Sequence, residues 1–250
     1  MKRRGVSYML VVALFLALMA ATAFGQQADK GAGGNGLKQK PKYKIGGDVN
    51  KVKNLSAIKA LMEESIEGGE VYAEDTIGEL RGRFPLDKSK SVDEAALDFI
   101  DRHKEAFGLK NPKWELKLTR KDVDERGNIH LRYQQTYNGV PIWGEEFLAH
   151  VNKECEVYLM QPNEKTTPNL DTTPEITAEQ AVEIAKNSMG LTAHAFRRSK
   201  SELIIYPYGI RSTLMLSYEI QMSVDRKSWQ FMVDAKTGAI LKKMDTTSID

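Results

Sequence analysis

One cysteine among 250 residues, Cys155, cannot close an internal disulfide, so a packed core has to hold this fold. Histidine is scarce as well. His103, His130, His150 and His194 are the complete set, and no two stand at the i, i+4 spacing that puts a pair of zinc ligands on one helical face. There is no His-Glu-x-x-His, no Gly-x-Ser-x-Gly, no phosphate-binding loop and no dinucleotide fingerprint. Asp93-Glu94 and Glu145-Glu146 are adjacent carboxylates, and neighbours on a strand point to opposite faces, which makes them unsuited to paired acid–base work. His130 and His150 could approach each other across a sheet, but no third ligand is apparent. These absences leave no catalytic residue, no metal-ligand set and no cofactor to assign, and the chain is read as not an enzyme.

An excess of charge of one sign is also missing. Met1 to Arg4 is basic, Met9 to Ala21 is nearly unbroken apolar, and Ala21-Thr22-Ala23 and Ala23-Phe24-Gly25 offer small residues at cleavage spacing. This reads as a signal peptide over residues 1–25, cut near Ala23 to Gln26 and too short in its apolar run for a stable membrane span. Lys2, Arg3 and Arg4 leave with it, so 36 basic residues less three give 33 against 34 acidic ones, a net charge of −1. No field for nucleic acid follows from that balance. With 41% hydrophobic and 28% charged residues, the remainder can build a core, and the expected location is secreted or periplasmic.

What is present falls into two helix-and-strand blocks. Residues 26–52, rich in Gly and Lys, read as a flexible linker. Leu55, Ile58, Leu61, Met62 and Ile66 are spaced as one helix face, and Val71 to Phe84 reads as extended. Ser91-Val92-Asp93-Glu94 forms a capping box opening a helix that buries Ala95, Ala96, Phe99, Ile100 and Phe107, with His103 beside the stripe. Gly108 stops it and Pro112 follows. Beyond Pro112 the period becomes two: Trp114, Leu116 and Leu118 make a short strand, then Ile129 to Tyr137, Ile142 to Val151, and a fourth carrying Val157 and Leu159. Pro162 to Pro174 is a Pro/Thr-rich boundary, with the linker at 166–175 and the first domain at 53–165. A second domain, 176–245, starts at the capping box Thr177-Ala178-Glu179-Gln180 and continues into strands over Glu202 to Tyr206, Leu214 to Met222, Ser228 to Asp234 and Ala239 to Leu241. The fold class is α+β: two small domains, each a helix packed on a curved antiparallel sheet.

The most informative stretch is His130-Leu131-Arg132-Tyr133-Gln134-Gln135-Thr136-Tyr137-Asn138-Gly139-Val140-Pro141-Ile142-Trp143-Gly144. Asn138-Gly139 predicts a type I′ hairpin, and Pro141 has no N–H to give to a ladder. With His130, Arg132, Tyr133, Gln135, Tyr137, Gly139, Pro141, Trp143 and Gly144 at these positions, it resembles the core motif of the fungalysin/thermolysin-type propeptide domain. The second block, ending in Trp229-x-Phe231-x-Val233-Asp234-Ala235-x-Thr237-Gly238-x-Ile240, resembles the PepSY domain that follows it in precursors of thermolysin-like zinc metallopeptidases.

That resemblance implies a secreted, stand-alone proregion whose partner is a thermolysin-like zinc metallopeptidase, inhibited or assisted in folding by protein–protein binding. It makes His130, Arg132, Gln135, Tyr137, Gly139, Pro141 and Trp143 either protease contacts or fold-defining residues. For Arg132 and Gln135 the favoured role is to satisfy a carboxylate or buried carbonyls. Met244, Asp245, Thr246, Thr247 and Ser248 lie where the family's maturation junction would be and are the expected cleft-binding tail. Two alternatives stay open: a non-enzymatic envelope module that kept the fold, and a truncated precursor of a metallopeptidase. Cys155 is expected as a small, partly buried residue at a strand–turn junction.

Overall fold

The computed structural model describes residues 43–48, 50–163, 168–190, 196–209, 213–224 and 227–247. The signal-peptide reading, most of the linker expected over 26–52, and Ser248 lie outside these residues. Among the described residues no helix is long and apolar enough to cross a membrane.

The chain runs β1 (Tyr43–Gly46), α1 (Leu55–Glu63), β2 (Gly69–Ala73), β3 (Ile77–Pro85), α2 (Val92–Arg102), α3 (Lys104–Phe107), α4 (Pro112–Glu115), β4 (Leu116–Val123), β5 (Ile129–Tyr137), β6 (Val140–Val151), β7 (Glu156–Asn163), α5 (Ala178–Asn187), β8 (Phe196–Tyr208), β9 (Thr213–Val224), β10 (Lys227–Asp234) and β11 (Ile240–Asp245). Strand order is β4-β5-β6-β7-β3-β2-β1 in the first block and β8-β9-β10-β11 in the second, antiparallel apart from β1 with β2. The fold is α+β, and all described residues belong to one unit.

Both capping boxes form. The Ser91 N–H donates to Glu94 Oε2 at 3.2 Å, and Thr177 and Gln180 exchange bonds of 2.7 and 3.2 Å. Each occupies orphan N–H groups in the first turn of its helix and fixes where α2 and α5 start. α2 buries Ala95, Ala96, Phe99 and Ile100 against the first sheet, and Gly108, at φ 76°, ends the helical run. α1 is part of the same core, through Ile58, Leu61 and Met62. α5 buries Ala181 and Ala185 on β8–β10, where Leu216, Tyr218, Ile220, Met222, Phe231 and Val233 form the opposing layer.

Three expectations need correction. Trp114 does not begin a strand: Pro112 to Glu115 form one helical turn, and Trp114 is 81% exposed. Pro112 sits at the first helical position with its φ already suitable, and Glu115 accepts from the Lys110 and Asn111 N–H groups at 3.0 and 2.5 Å. The flexible linker does not reach Val52. Tyr43–Gly46 is strand β1, parallel to β2, with Tyr43 and Ile45 packed on the first core. A four-residue strand among glycines and lysines is too short to show a period. Finally, Pro162 belongs to β7, opposite Phe147, and not to the boundary loop.

Candidate functional site: the junction motif and the terminal edge strand

β5 and β6 are joined by the expected turn, with Asn138 at φ 50° and Gly139 at φ 80°. A Cβ at Gly139 would meet nothing within 4 Å, so the requirement there is purely conformational. Gly139→Ala is therefore expected to cost about 1–2 kcal/mol, the left-handed penalty alone, read from urea unfolding. A neutral result would show that the turn changes type.

Past the turn the two strands lose register. Thr136 pairs with Pro141 and Gln134 with Glu146, so Gln135 alone faces residues 142 to 145. Gly144, at φ 77°, lies inside this bulge. Backbone groups released from the ladder must find other partners. The Gln134 side-chain amide donates to the carbonyls of Gln135, Ile142 and Glu145 at 3.0, 2.7 and 2.9 Å, and Asn163 donates to that of Gly144 at 3.1 Å.

The bulge carries β6 out of the first sheet and against the second. Ile142 pairs in parallel with Ile205 of β8, the bridge that makes the two sheets continuous. Successive side chains on extended backbone point to opposite faces. Ile142 is fully buried in the core beneath α5. Trp143 lies on the other face, edge-on to Tyr206 at 5.5 Å, with Ile204, Met232 and Leu241 in the same cluster and Lys242 Nζ 5.6 Å from its ring. Tyr137 and Val140 also pack on the second core. The motif is therefore the seam between the two blocks.

The motif residues divide between that seam and the β5–β6 ladder that leads to it. Arg132 pairs with the Glu146 carboxylate on the neighbouring strand, the role favoured from sequence. Gln135 is fully buried at the bulge and Thr136 donates to the Trp114 carbonyl at 3.1 Å. His130 stands opposite His150, Nδ1 to Nδ1 at 2.6 Å, and its Nε2 is 3.2 Å from Asp124. Asp124 also accepts from Asn128 and from the Arg126 and Asn128 N–H groups, and these bonds, that of the Asn128 side chain foremost, lower its carboxyl to about 2. Among the described residues no group of three His, Cys, Asp or Glu side chains is arranged to hold a metal ion. Cys155 is a free, half-buried thiol in the turn between β6 and β7, at φ 64°, packed on the first core.

Sequence reasoning passed over Gln134, Ile142 and Glu146 as site residues. The alternation of two assigns faces but not a bulge. Gly144, three residues beyond Pro141, was the one local signal.

The tail expected to enter a cleft is not loose over its described part. Met244 and Asp245 belong to β11, Thr246 donates to the Ser228 carbonyl at 2.7 Å, and Thr247 Oγ1 accepts from the Ser228 N–H at 2.9 Å. The ladder with β10 runs from Ile240 to Asp245 with one irregularity at Met232 and Val233, and the Ser228 bonds extend it past the strand end. β11 is the last strand of the sheet, and Ile240 and Met244 are each 38% exposed. Lys242 and Lys243 lie over the Trp143 and Trp229 rings.

Comparison with known proteins bears on both blocks. The fungalysin/thermolysin propeptide motif matches residues 115–161, which hold the bulge and the seam, and the peptidase propeptide and YPEB domain matches residues 175–244. The chain carries the two propeptide modules of thermolysin-like metallopeptidases. It is 28% identical over 169 residues to thermostable neutral protease NprT of Geobacillus stearothermophilus, covering 62% of this chain and 30% of that protein. It is 32% identical over 165 residues to a thermolysin of Alicyclobacillus acidocaldarius, covering 60% of this chain and 29% of the other. The chain thus spans about 30% of the length of these curated relatives. Among solved structures, the YpeB C-terminal domain of Bacillus megaterium aligns over 67% of this chain and 70% of its own, at a TM-score of 0.36 and 16% identity. In this chain the propeptide motif and the PepSY domain meet at Ile142 and Ile205, while β1 to α3 precede both matched regions.

Proposed function

We propose that this chain is an exported proregion that binds a thermolysin-like zinc metallopeptidase, occludes its cleft and assists its folding, with no reaction of its own. One observation carries the reading: both propeptide modules occur, in order, in one chain. The Ile142 bridge, which makes their two sheets continuous, agrees with a single binding unit. The contact surface would be the outer edge of β11, with the exposed Ile240 and Met244 on it. An edge strand offers main-chain donors and acceptors to an extended partner, and a standard interface needs roughly 1,600 Å² in all. Met244 and Asp245 enter such a contact already in β11, with Thr246 and Thr247 held to Ser228, which lowers the ordering cost of binding. The location that suits this role is secreted or periplasmic.

The test is a refolding and inhibition assay with the exported chain added to a separately expressed thermolysin-like peptidase. We expect inhibition of the folded enzyme and a higher refolding yield of the denatured one. No effect on either at high micromolar concentration removes the reading and favours an envelope module that kept the fold. Activity only when the peptidase is joined to the same chain marks a precursor segment.

A further inference from the structure

At the end of the β5–β6 hairpin away from the seam, two imidazoles face each other across the strands. The rings of His130 and His150 are 4.9 Å apart at 71°, with Nδ1 to Nδ1 at 2.6 Å. Two ring nitrogens at that distance need one proton and one lone pair between them. Asp124 receives the outer nitrogen of His130 and stays ionised, so it orients the pair and tolerates one added proton on it. A second proton would have to enter between the two Nδ1 atoms, where there is no lone pair left to accept it.

His150 is poorly placed to be the cation. Its Nε2 is buried. Around the pair stand Asp122 on β4, in register with His130, Arg132 on β5, and Tyr158 and Gln161 on β7, the Tyr158 ring 5.9 Å from that of His150. Burial, then the charges of His130 and Arg132, lower its basicity, and the nearby Gln161 amide opposes them only in part.

We propose that His130 and His150 form an acid-sensitive latch: the pair carries at most one proton while β5 and β6 stay together, and a second one opens the hairpin that supports the seam. This holds whatever the partner is. The latch gives an exported proregion a way to loosen when its surroundings acidify.

The direction follows from proton counting. In the unfolded chain both histidines titrate near the ordinary value of about 6.5. The folded pair excludes one proton, so its stabilisation is complete above about pH 6.5 and is lost as pH falls below it, by up to about tenfold in the unfolding constant per pH unit. His103 acts in the same direction. It caps the C-terminus of α2, partly buried between the Phe99 ring and Glu64 with Arg102 nearby, and burial lowers its basicity despite Glu64.

The experiment is urea unfolding of the full exported chain from pH 7.5 to 5.0, for wild type, His150→Gln and His103→Gln. Between pH 6 and 5 the wild-type unfolding constant should rise by about tenfold from the pair alone, His150→Gln should remove that factor, and His103→Gln should leave it in place. Equal pH dependence in wild type and His150→Gln overturns the latch. Should His150→Gln fail to fold, imidazole nitrogen NMR of the wild type decides. Both rings doubly protonated under a native amide spectrum refutes the proposal, and at most one supports it.

Discussion

Ile142→Ala is expected to lower the stability of the second module by about 2–5 kcal/mol and to split a single unfolding transition into two. Ile142 is fully buried in the core with Ala181, Ala185, Ile205 and Phe231, so truncation removes its transfer energy and leaves a cavity there. It is also the residue through which β6 meets β8. The first module keeps its own core, from Ile58 through Phe99 to Met160, and should hold nearly its original midpoint. For a unit of about 70 residues the loss corresponds to a drop on the order of 10 °C or more in the second module. Trp229 packs on the second core and reports that transition, while far-ultraviolet dichroism follows both. A smaller effect, with one common midpoint, would mean that the modules are joined by more than this residue.

Much of this architecture was legible because it is local. Ser91 with Glu94 and Thr177 with Gln180 carry their own helix starts, and Asn138-Gly139 carries its own turn. Alternation over Leu214 to Met222 placed a face that does line the second core. Three things were hidden for physical reasons. β1 is parallel to a strand more than twenty residues away and has four residues in which to show a period. Trp114 alternates correctly with Leu116 and Leu118, but the bond between Glu115 and the Asn111 N–H overrides the pattern. The seam depends on a bulge, and a bulge inverts the sequence rule. Ile142 and Trp143 look like one inward and one outward residue of a single sheet, yet each covers a different face of a second one. The motif reads as specific in sequence because nearly every position in it answers to this geometry. That favours a fold-defining role over direct protease contact for Arg132, Gln135, Gly139 and Pro141.

Gln134 serves three carbonyls at the bulge, so Gln134→Leu is the sharper test of that view. Leucine keeps most of the volume and removes the amide that serves the Gln135, Ile142 and Glu145 carbonyls. Leaving such groups without donors costs about 1–3 kcal/mol each where water cannot reach them. Asn163 continues to hold Gly144, and Gln134 is only partly buried, so water will satisfy some of the loss. The expected total is about 2–3 kcal/mol, with the β6 backbone between Pro141 and Glu146 losing amide-exchange protection before the rest of the sheet. Because that segment sets Ile142 and Trp143 in place, the second module should weaken too, although no side chain in it has changed. A double-mutant cycle with Ile142→Ala distinguishes the cases. If Gln134 acts by positioning Ile142, the two losses overlap and their sum exceeds the double mutant by about 1 kcal/mol or more. Simple additivity would mean that the amide stabilises the first sheet alone, and the seam would then need another support.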